Sequence, residues 1–203
     1  MAQGFAVETV IYVDGYNLYY GCLKHTPYKW LDLKASIASN GQQAQRAQQS
    51  YHRALTHLYG GRLRVIKGYY SLEKARLPVY RKPPDKTQGV DVWRLEEKQT
   101  DVNMALEIYR DVAMQKVDQV VLVSNDTDLF PVLEALREDF GTRPEIGIII
   151  PIRVLKNHRP GNASLSSLAN WTRRYITDNE LKSCQLPSRI PTEKKPIEKP
   201  SYW

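Results

Sequence analysis

Residues 120–129, VVLVSNDTDL, join an uninterrupted apolar run to two aspartates and decide the fold prediction. The first four residues are apolar at every position, as in a strand that is covered on both faces of its sheet. The run stops at Ser124, and Asp126 and Asp128 follow in a turn that leads into the next apolar-periodic segment. A buried strand, a polar turn and a helix in this order predict one unit of a parallel α/β sheet.

The same alternation of strands and helices extends outward over most of the chain. Short β-branched or apolar runs predict strands over residues 10–13, 62–70, 90–95, 120–123 and 147–152. Apolar side chains at three- and four-residue spacings predict helices over residues 16–23, 42–59, 100–114, 129–140 and 165–171. Residues 71–89 carry three prolines among lysines and arginines, which predicts an exposed basic loop. We therefore predict an α/β three-layer sandwich with a mainly parallel central sheet.

Size and composition narrow the class of protein. The 203 residues, 42% of them hydrophobic, suffice for one domain, which we place at residues 1–183 with a tail over 184–203 that packs on the domain or extends from it. Only Cys22 and Cys184 are present, which is neither a disulfide framework nor a zinc set. Without a leader or a membrane-length apolar stretch, we expect a cytoplasmic protein with no membrane partner. A net charge of +7 favours a polyanionic partner.

Four aspartates follow strands or begin a helix in this arrangement. Asp14 ends the first strand, Asp126 and Asp128 follow a later strand, and Asp101 lies in the first turn of the helix at 100–114. Because ligands bind beyond the carboxyl ends of parallel strands, these carboxylates are expected to meet at one sheet edge. Carboxylates held close together repel one another unless a cation neutralises them. Oxygen ligands without a histidine or cysteine cluster favour Mg²⁺ or Mn²⁺.

Neutral and charged neighbours are candidates for supporting roles at this site. The residues with neutral oxygens are Asn17, Asn103, Ser124, Asn125 and Thr127. Glu107 lies six residues after Asp101, which rotates it away from that face, so it is expected to hold a water, Asn103 or a basic side chain. Lys98 either balances the acidic side chains or contacts a phosphate. Helix capping is the alternative explanation for Asp126 or Asp101 taken alone, but it does not explain the whole set.

Two basic segments are candidates for holding a nucleic-acid strand. Tyr80 lies beside Arg81 and Lys82, with Lys86 nearby, so the ring can stack on an unpaired base while the cations follow its backbone. Arg153, Lys156 and Arg159 follow the strand at 147–152. We expect them to contact phosphates.

Three segments of the chain together resemble the signature blocks of the NYN domain family, a PIN-like group of nucleases. They are VIYVDGYNLYYG at 10–21, EEKQTDVNMALE at 96–107 and VVLVSNDTDL at 120–129, and the ending IEKPSYW at 197–203 is similar to that of bacterial members. The resemblance implies a PIN-like fold, a Mg²⁺ or Mn²⁺ site and nuclease activity, most often on RNA. It implies metal ligation by Asp14, Asp101, Asp126 and Asp128, with Asn17 in the first block. Gln99 stands where the family commonly has glycine, which changes the loop but removes no ligand.

The leading hypothesis is therefore hydrolysis of RNA phosphodiesters by metal-activated water. One alternative is an RNA-binding or adaptor module that does not cleave. Another is a phosphohydrolase acting on a small phosphorylated metabolite, since an Asp-x-Asp turn after a strand also serves such enzymes. The choice of RNA over DNA, the mode of cleavage, the number of ions and any homo-oligomer or larger complex remain open at this point.

Overall fold

A computed structural model describes residues 7–31, 42–66, 68–81, 87–154 and 161–203, and, within 42–46, the backbone only. The contacts among the residues divide the chain into two units. The first unit combines residues 1–65 with 105–203, and the second comprises residues 66–104. Each unit is described by itself.

Eight strands and six α-helices form along the described residues. The strands are β1 Thr9–Val13, β2 Tyr69–Pro78, β3 Gly89–Lys98, β4 Gln119–Val123, β5 Glu145–Ile149, β6 Trp171–Arg173, β7 Arg189–Ile190 and β8 Ile197–Glu198. The α-helices are α1 Gly15–Leu18, α2 Gln42–Tyr59, α3 Thr100–Ala113, α4 Phe130–Phe140, α5 Ala163–Ser167 and α6 Asp178–Ser183. A π-helical turn, Tyr19–Leu23, continues α1, and 3₁₀ turns occupy Gly60–Arg62 and Thr127–Leu129.

A four-stranded parallel sheet in the order β1-β4-β5-β6 forms the centre of the first unit. Its register aligns the last residues of three strands, since Val13 is opposite Val123 and Val123 is opposite Ile149. The residues that follow these strands therefore begin at the same edge. The predicted α/β fold with a mainly parallel, PIN-like central sheet flanked by helices is confirmed.

Continuous apolar runs place β4 and β5 in the middle of this sheet. All five residues of β4 except Gln119 are buried, and Ile146 and Ile148 of β5 are fully buried. The outer strand β1 exposes Ile11. Burial on both faces is what distinguishes the central strands from the outer ones.

The last twenty residues pack into the hydrophobic core of the first unit. Leu186, Ile190 and Ile197 are buried in one cluster with Trp30 and Tyr51, and the rings of Trp203 and Trp30 lie 6.1 Å apart. The boundary at residue 183 stays a prediction, but the chain beyond it contributes to the same core as the chain before it.

The second unit contains an antiparallel two-stranded ribbon. Strands β2 and β3 pair over ten residues, from Tyr69 opposite Lys98 to Pro78 opposite Gly89. The predictions of a strand over 62–70 and of a loop over 71–89 are therefore wrong in their bounds. Large apolar side chains of the ribbon remain exposed, Trp93 at 72% among them, so neither face imposes the apolar and polar alternation by which a strand is predicted.

The prediction of a helix over 165–171 is wrong at its end. Helix α5 stops at Ser167, and Trp171 begins the edge strand β6, where it pairs with Gly147. A Cβ built on Gly147 would lie 2.1 Å from the indole ring, so this pairing depends on glycine. The nearby leucines at helical spacing concealed the strand.

In the described part of the chain, no helix combines the length and apolar character needed to cross a membrane.

Candidate functional site

Asp14 begins the candidate site because it directly follows β1 and is 4% exposed. Its Oδ1 accepts a hydrogen bond of 2.9 Å from the backbone amide of Asn17, so it also caps α1. Its Oδ2 accepts hydrogen bonds from Nδ2 of Asn17 at 2.6 Å and from the hydroxyl of Ser124 at 2.8 Å. The carboxylate is thus buried and held in one orientation.

Ser124 connects Asp14 to the turn after β4. Its side chain is fully buried, and its oxygen accepts a hydrogen bond of 3.0 Å from the backbone amide of Asp126. One hydroxyl therefore donates to the carboxylate after β1 and accepts from the backbone that carries the next aspartate. This double role fixes the two strand ends to each other.

The remaining residues of the turn differ in exposure. Asp126 is half-buried, and its Oδ1 accepts a hydrogen bond of 3.1 Å from the amide of Asp128, which is exposed. Oδ1 of Asn125 accepts a hydrogen bond of 2.7 Å from the amide of Asn162, which caps α5. Asn125 thus ties the turn to the next element of the sheet edge.

The donor set at this edge consists of oxygens and fits a hard divalent cation. Among the residues that the structure describes, no three Asp, Glu, His or Cys side chains lie close enough together to hold one ion. The edge therefore offers Asp14 and Asp126, linked through Ser124, rather than a set of three carboxylates. Magnesium suits such a site, because it is commonly held by one or two carboxylates while water and substrate phosphate complete its coordination.

The comparisons with known proteins cover these same residues. The family model of the NYN domain matches residues 8–154, which include β1, β4 and the turn after each strand. The chain belongs to the NYN domain family. Its domain is the α/β unit that the sequence blocks at 10–21 and 120–129 predicted.

Two known proteins are similar to this NYN protein, one in sequence and one in fold. A 6-hydroxy-3-succinoylpyridine 3-monooxygenase of Pseudomonas putida is 35% identical, over 97% of this chain and 75% of that protein. A crystal structure of a protein of unknown function from Vibrio parahaemolyticus is similar with a TM-score of 0.51 at 18% identity, covering 88% of this chain and 98% of the other. The first is a likeness in sequence, and the second shows the fold alone.

Glu107 of the NYN domain holds two arginines. This residue of α3 is 9% exposed. It accepts hydrogen bonds from both terminal nitrogens of Arg64 and one of 3.1 Å from Arg110. In the same helix, Asp111 accepts a hydrogen bond of 2.9 Å from the hydroxyl of Tyr12. Burial, followed by this hydrogen bond, raises the pKa of Tyr12 well above its usual range. The hydrogen bond between Tyr12 and Asp111 joins β1 to α3.

Three of the residues predicted for the metal site belong to the second unit. Asp101 and Asn103 lie in the first turns of α3, and both are half-buried. Lys98 ends β3 and pairs with Glu96 and with Glu73 at 3.5 Å. Their participation in the site stays a prediction.

The residues predicted to contact nucleic acid differ in whether another protein side chain already binds them. Arg153 forms a two-point ion pair with Asp178, with Nε–Oδ1 and terminal N–Oδ2 distances of 2.6 and 2.5 Å. This pairing lowers the pKa of Asp178. Tyr80 and Arg81 are exposed in the second unit. The other predicted contacts lie outside the described residues: Lys82, Lys86, Lys156 and Arg159.

A cleft beside this edge was missed by the sequence reasoning. It has a volume of about 700 Å³ and is lined by residues that follow β5 and β6 and by α5. Arg174 and Tyr175 border it, together with Ser166 and Ile150. The pair of arginines after Trp171 was the signal in the sequence that could have indicated this cleft. It was missed because a helix was predicted over 165–171, where the strand that leads into these arginines begins.

Proposed function

We propose that this NYN protein is a metal-dependent nuclease that hydrolyses phosphodiester bonds, with RNA as its substrate. The supporting observation is the arrangement of Asp14, Ser124 and Asp126 across the carboxyl ends of two adjacent parallel strands. A bound Mg²⁺ or Mn²⁺ would supply an activated water and stabilise charge on the phosphate. Membership of a family with a nuclease-like fold supports the same function.

The roles of the side chains follow from their contacts. Asp14 has fixed orientation because Asn17 and Ser124 hold both of its oxygens, so it contributes a preorganised ligand. Asp126 is less buried and contributes a ligand on the open side of the turn. We assign Asp128 and Asp101 to water bound by the ion, because no three acidic side chains of the described residues lie close enough together to hold it directly. Ser124 positions both aspartates and does not attack the substrate.

The basic character of the chain supports a polyanionic substrate. Lysine and arginine outnumber aspartate and glutamate by 29 to 22, and the isoelectric point is near 9.3. Tyr80 and Arg81 are exposed and available for bases and phosphates. With Lys82, Lys86, Arg153, Lys156 and Arg159, they form the proposed nucleic-acid contacts.

The test compares two aspartates at opposite ends of one strand. Asp126→Asn removes a proposed ligand after β4, whereas Asp118→Asn changes an exposed carboxylate before the same strand. Each protein is incubated with end-labelled single-stranded RNA and Mn²⁺, with and without EDTA. We expect the wild type and Asp118→Asn to cleave, and Asp126→Asn to lose roughly 100-fold or more in rate. Cleavage that persists in EDTA or in Asp126→Asn overturns the assignment. RNA binding without any cleavage favours the non-cleaving module.

A second candidate function is hydroxylation of an aromatic acid, favoured by the named activity of the Pseudomonas relative. A monooxygenase places one atom of O₂ in its product and reduces the other to water, with two electrons from an external reductant. The corresponding assay supplies 6-hydroxy-3-succinoylpyridine and NADH to the purified protein and follows oxygen uptake. Substrate-dependent oxygen consumption without RNA cleavage would select this function over the nuclease.

A further inference from the structure

The cleft beside the candidate site lies where α/β proteins bind ligands. Ile150 and Ile152 follow the carboxyl end of β5, and Arg174 and Tyr175 follow that of β6. Its volume of about 700 Å³ is in the range of pockets for small organic ligands. The cleft and the Asp14 edge belong to the same unit, and the hydrogen bond from Asn162 to Asn125 joins them.

Among the described residues that line the cleft, the two arginines differ in whether an acidic side chain pairs with them. Arg153 is paired with Asp178, and Arg173 is paired with Glu180. Arg174 directly follows Arg173 in the sequence, is exposed, and has no ion pair with any residue that the structure describes. A guanidinium whose donors are not used by the protein favours a carboxylate or a phosphate as its partner.

The other residues that line the cleft favour a flat ring as the ligand. Ile150 is fully buried and Ile152 is 9% exposed, so they form an apolar base, and Tyr175 exposes 48% of its surface at the border. Ser166 and Ser167 donate their hydroxyl protons to the backbone carbonyls of Asn162 and Ser164. Their oxygens therefore remain acceptors for a hydroxyl or ring N–H group. An aromatic side chain, an apolar base and a few polar groups are the usual elements of a site for a planar ligand.

We propose that this cleft binds a planar ring that carries an anionic group, with Arg174 contacting the anion and Tyr175 the ring. Two sources share this chemistry, namely a nucleotide and a free aromatic carboxylic acid. The proposal goes beyond the catalytic assignment, because binding in the cleft requires neither the metal nor the aspartates.

The test is calorimetric titration of the full chain in EDTA, so that the metal site makes no contribution. The nucleotide arm compares adenosine 5′-monophosphate with adenosine, and the acid arm compares pyridine-3-carboxylate with the uncharged pyridine-3-carboxamide. In at least one arm we expect the anionic compound to bind roughly tenfold or more tightly than its neutral partner. This comparison uses the wild type alone and does not depend on how a variant folds.

Variants then locate the binding. Arg174→Gln is expected to weaken binding of the anionic compound about tenfold and to leave the neutral compound unchanged. Tyr175→Leu is expected to weaken both compounds. The matched control is Arg62→Gln, an exposed arginine distant from the cleft in sequence. The proposal is overturned if neither anionic compound binds more tightly than its neutral partner, or if Arg174→Gln behaves like Arg62→Gln. Binding with no RNA cleavage by the same preparation would support the cleft and reject the nuclease.

Discussion

The hydroxyl of Ser124 donates a hydrogen bond of 2.8 Å to Oδ2 of Asp14, although 110 residues separate them. The contact exists because β1 and β4 are parallel neighbours in register, with Val13 opposite Val123. Parallel pairing brings the residues after both strands to one edge. The same hydroxyl oxygen accepts from the amide of Asp126, so a single side chain sets the geometry of both buried strand ends.

Replacing Ser124 with alanine should therefore lower stability and activity together. The variant leaves Asp14 with one hydrogen-bond donor fewer and the partly buried amide of Asp126 without its side-chain acceptor. We expect the free energy of unfolding to fall by about 1–3 kcal/mol, measured by urea titration. Under the proposed function, Mn²⁺-dependent cleavage also falls. Ser183→Ala removes an exposed hydroxyl that donates to a backbone carbonyl and serves as the control. Equal stability of the two variants would contradict the role of Ser124.

A pH-dependent contribution to stability is expected from Glu180. Its hydrogen bonds from Arg173 and Thr177 lower its pKa from 4.5 to about 2. A carboxyl group whose pKa is lower in the folded state stabilises the fold fully above its unfolded-state pKa. That stabilisation disappears as the pH falls from about 4.5 towards 2. The wild type should thus have a higher free energy of unfolding than Glu180→Gln at roughly pH 6. This difference should become smaller as the pH is lowered to roughly 3.

The control for this pH profile is a glutamate outside the ion pair. Glu193 is exposed and forms no ion pair within the described ranges. Urea titrations of Glu193→Gln should give a difference from the wild type that changes little over the same pH range. High salt should also reduce the Glu180 effect, because that pair is partly exposed. A Glu180→Gln difference that is independent of pH would exclude the ion pair as a contributor to stability.

The two cysteines should react with thiol reagents at very different rates. Cys22 is 2% exposed, and burial is the main cause that raises its pKa to about 12, so the thiolate is scarce at neutral pH. Cys184 is exposed. Titration of the native protein with a chromogenic disulfide at about pH 8 should therefore modify one thiol rapidly, and both after unfolding in guanidinium. Rapid modification of Cys184→Ser in the native state would show that the packing around Cys22 opens readily.

Gly21 should not tolerate even one additional methyl group. A Cβ at this position would lie 1.8 Å from the carbonyl oxygen of Pro151, where the π-helical turn approaches the segment after β5. Because both atoms that clash are fixed to the backbone, Gly21→Ala should lower the unfolding free energy by about 1–3 kcal/mol or more. Gly61→Ala is the control, since its added methyl group would have no atom within 4 Å apart from those of its chain neighbours and its own helical turn. Similar melting temperatures for the two variants would contradict this close approach.

The sequence predicted the parts of the fold that have strong local patterns. The apolar run of β4 requires burial on both faces, and the helical spacing in α2 and α3 requires one buried stripe. These elements form close to the predicted bounds. Strand β2 was misplaced, and β3 was predicted only over residues 90–95, because both strands expose apolar and charged side chains alike, which leaves no periodic pattern. Strand β6 was mistaken for helix because it is only three residues long.

For the candidate site, residue chemistry and order along the chain indicated which side chains matter, since carboxylates after predicted parallel strands are expected at one edge. Only the tertiary structure decided that Ser124 bridges Asp14 and Asp126, that Glu107 holds Arg64, and that Asp178 occupies Arg153. It also left Arg174 beside a cleft. The physical reason is that burial and periodicity are encoded locally, whereas the partner of a charged or polar side chain depends on which distant segments the strand order brings within a few ångströms.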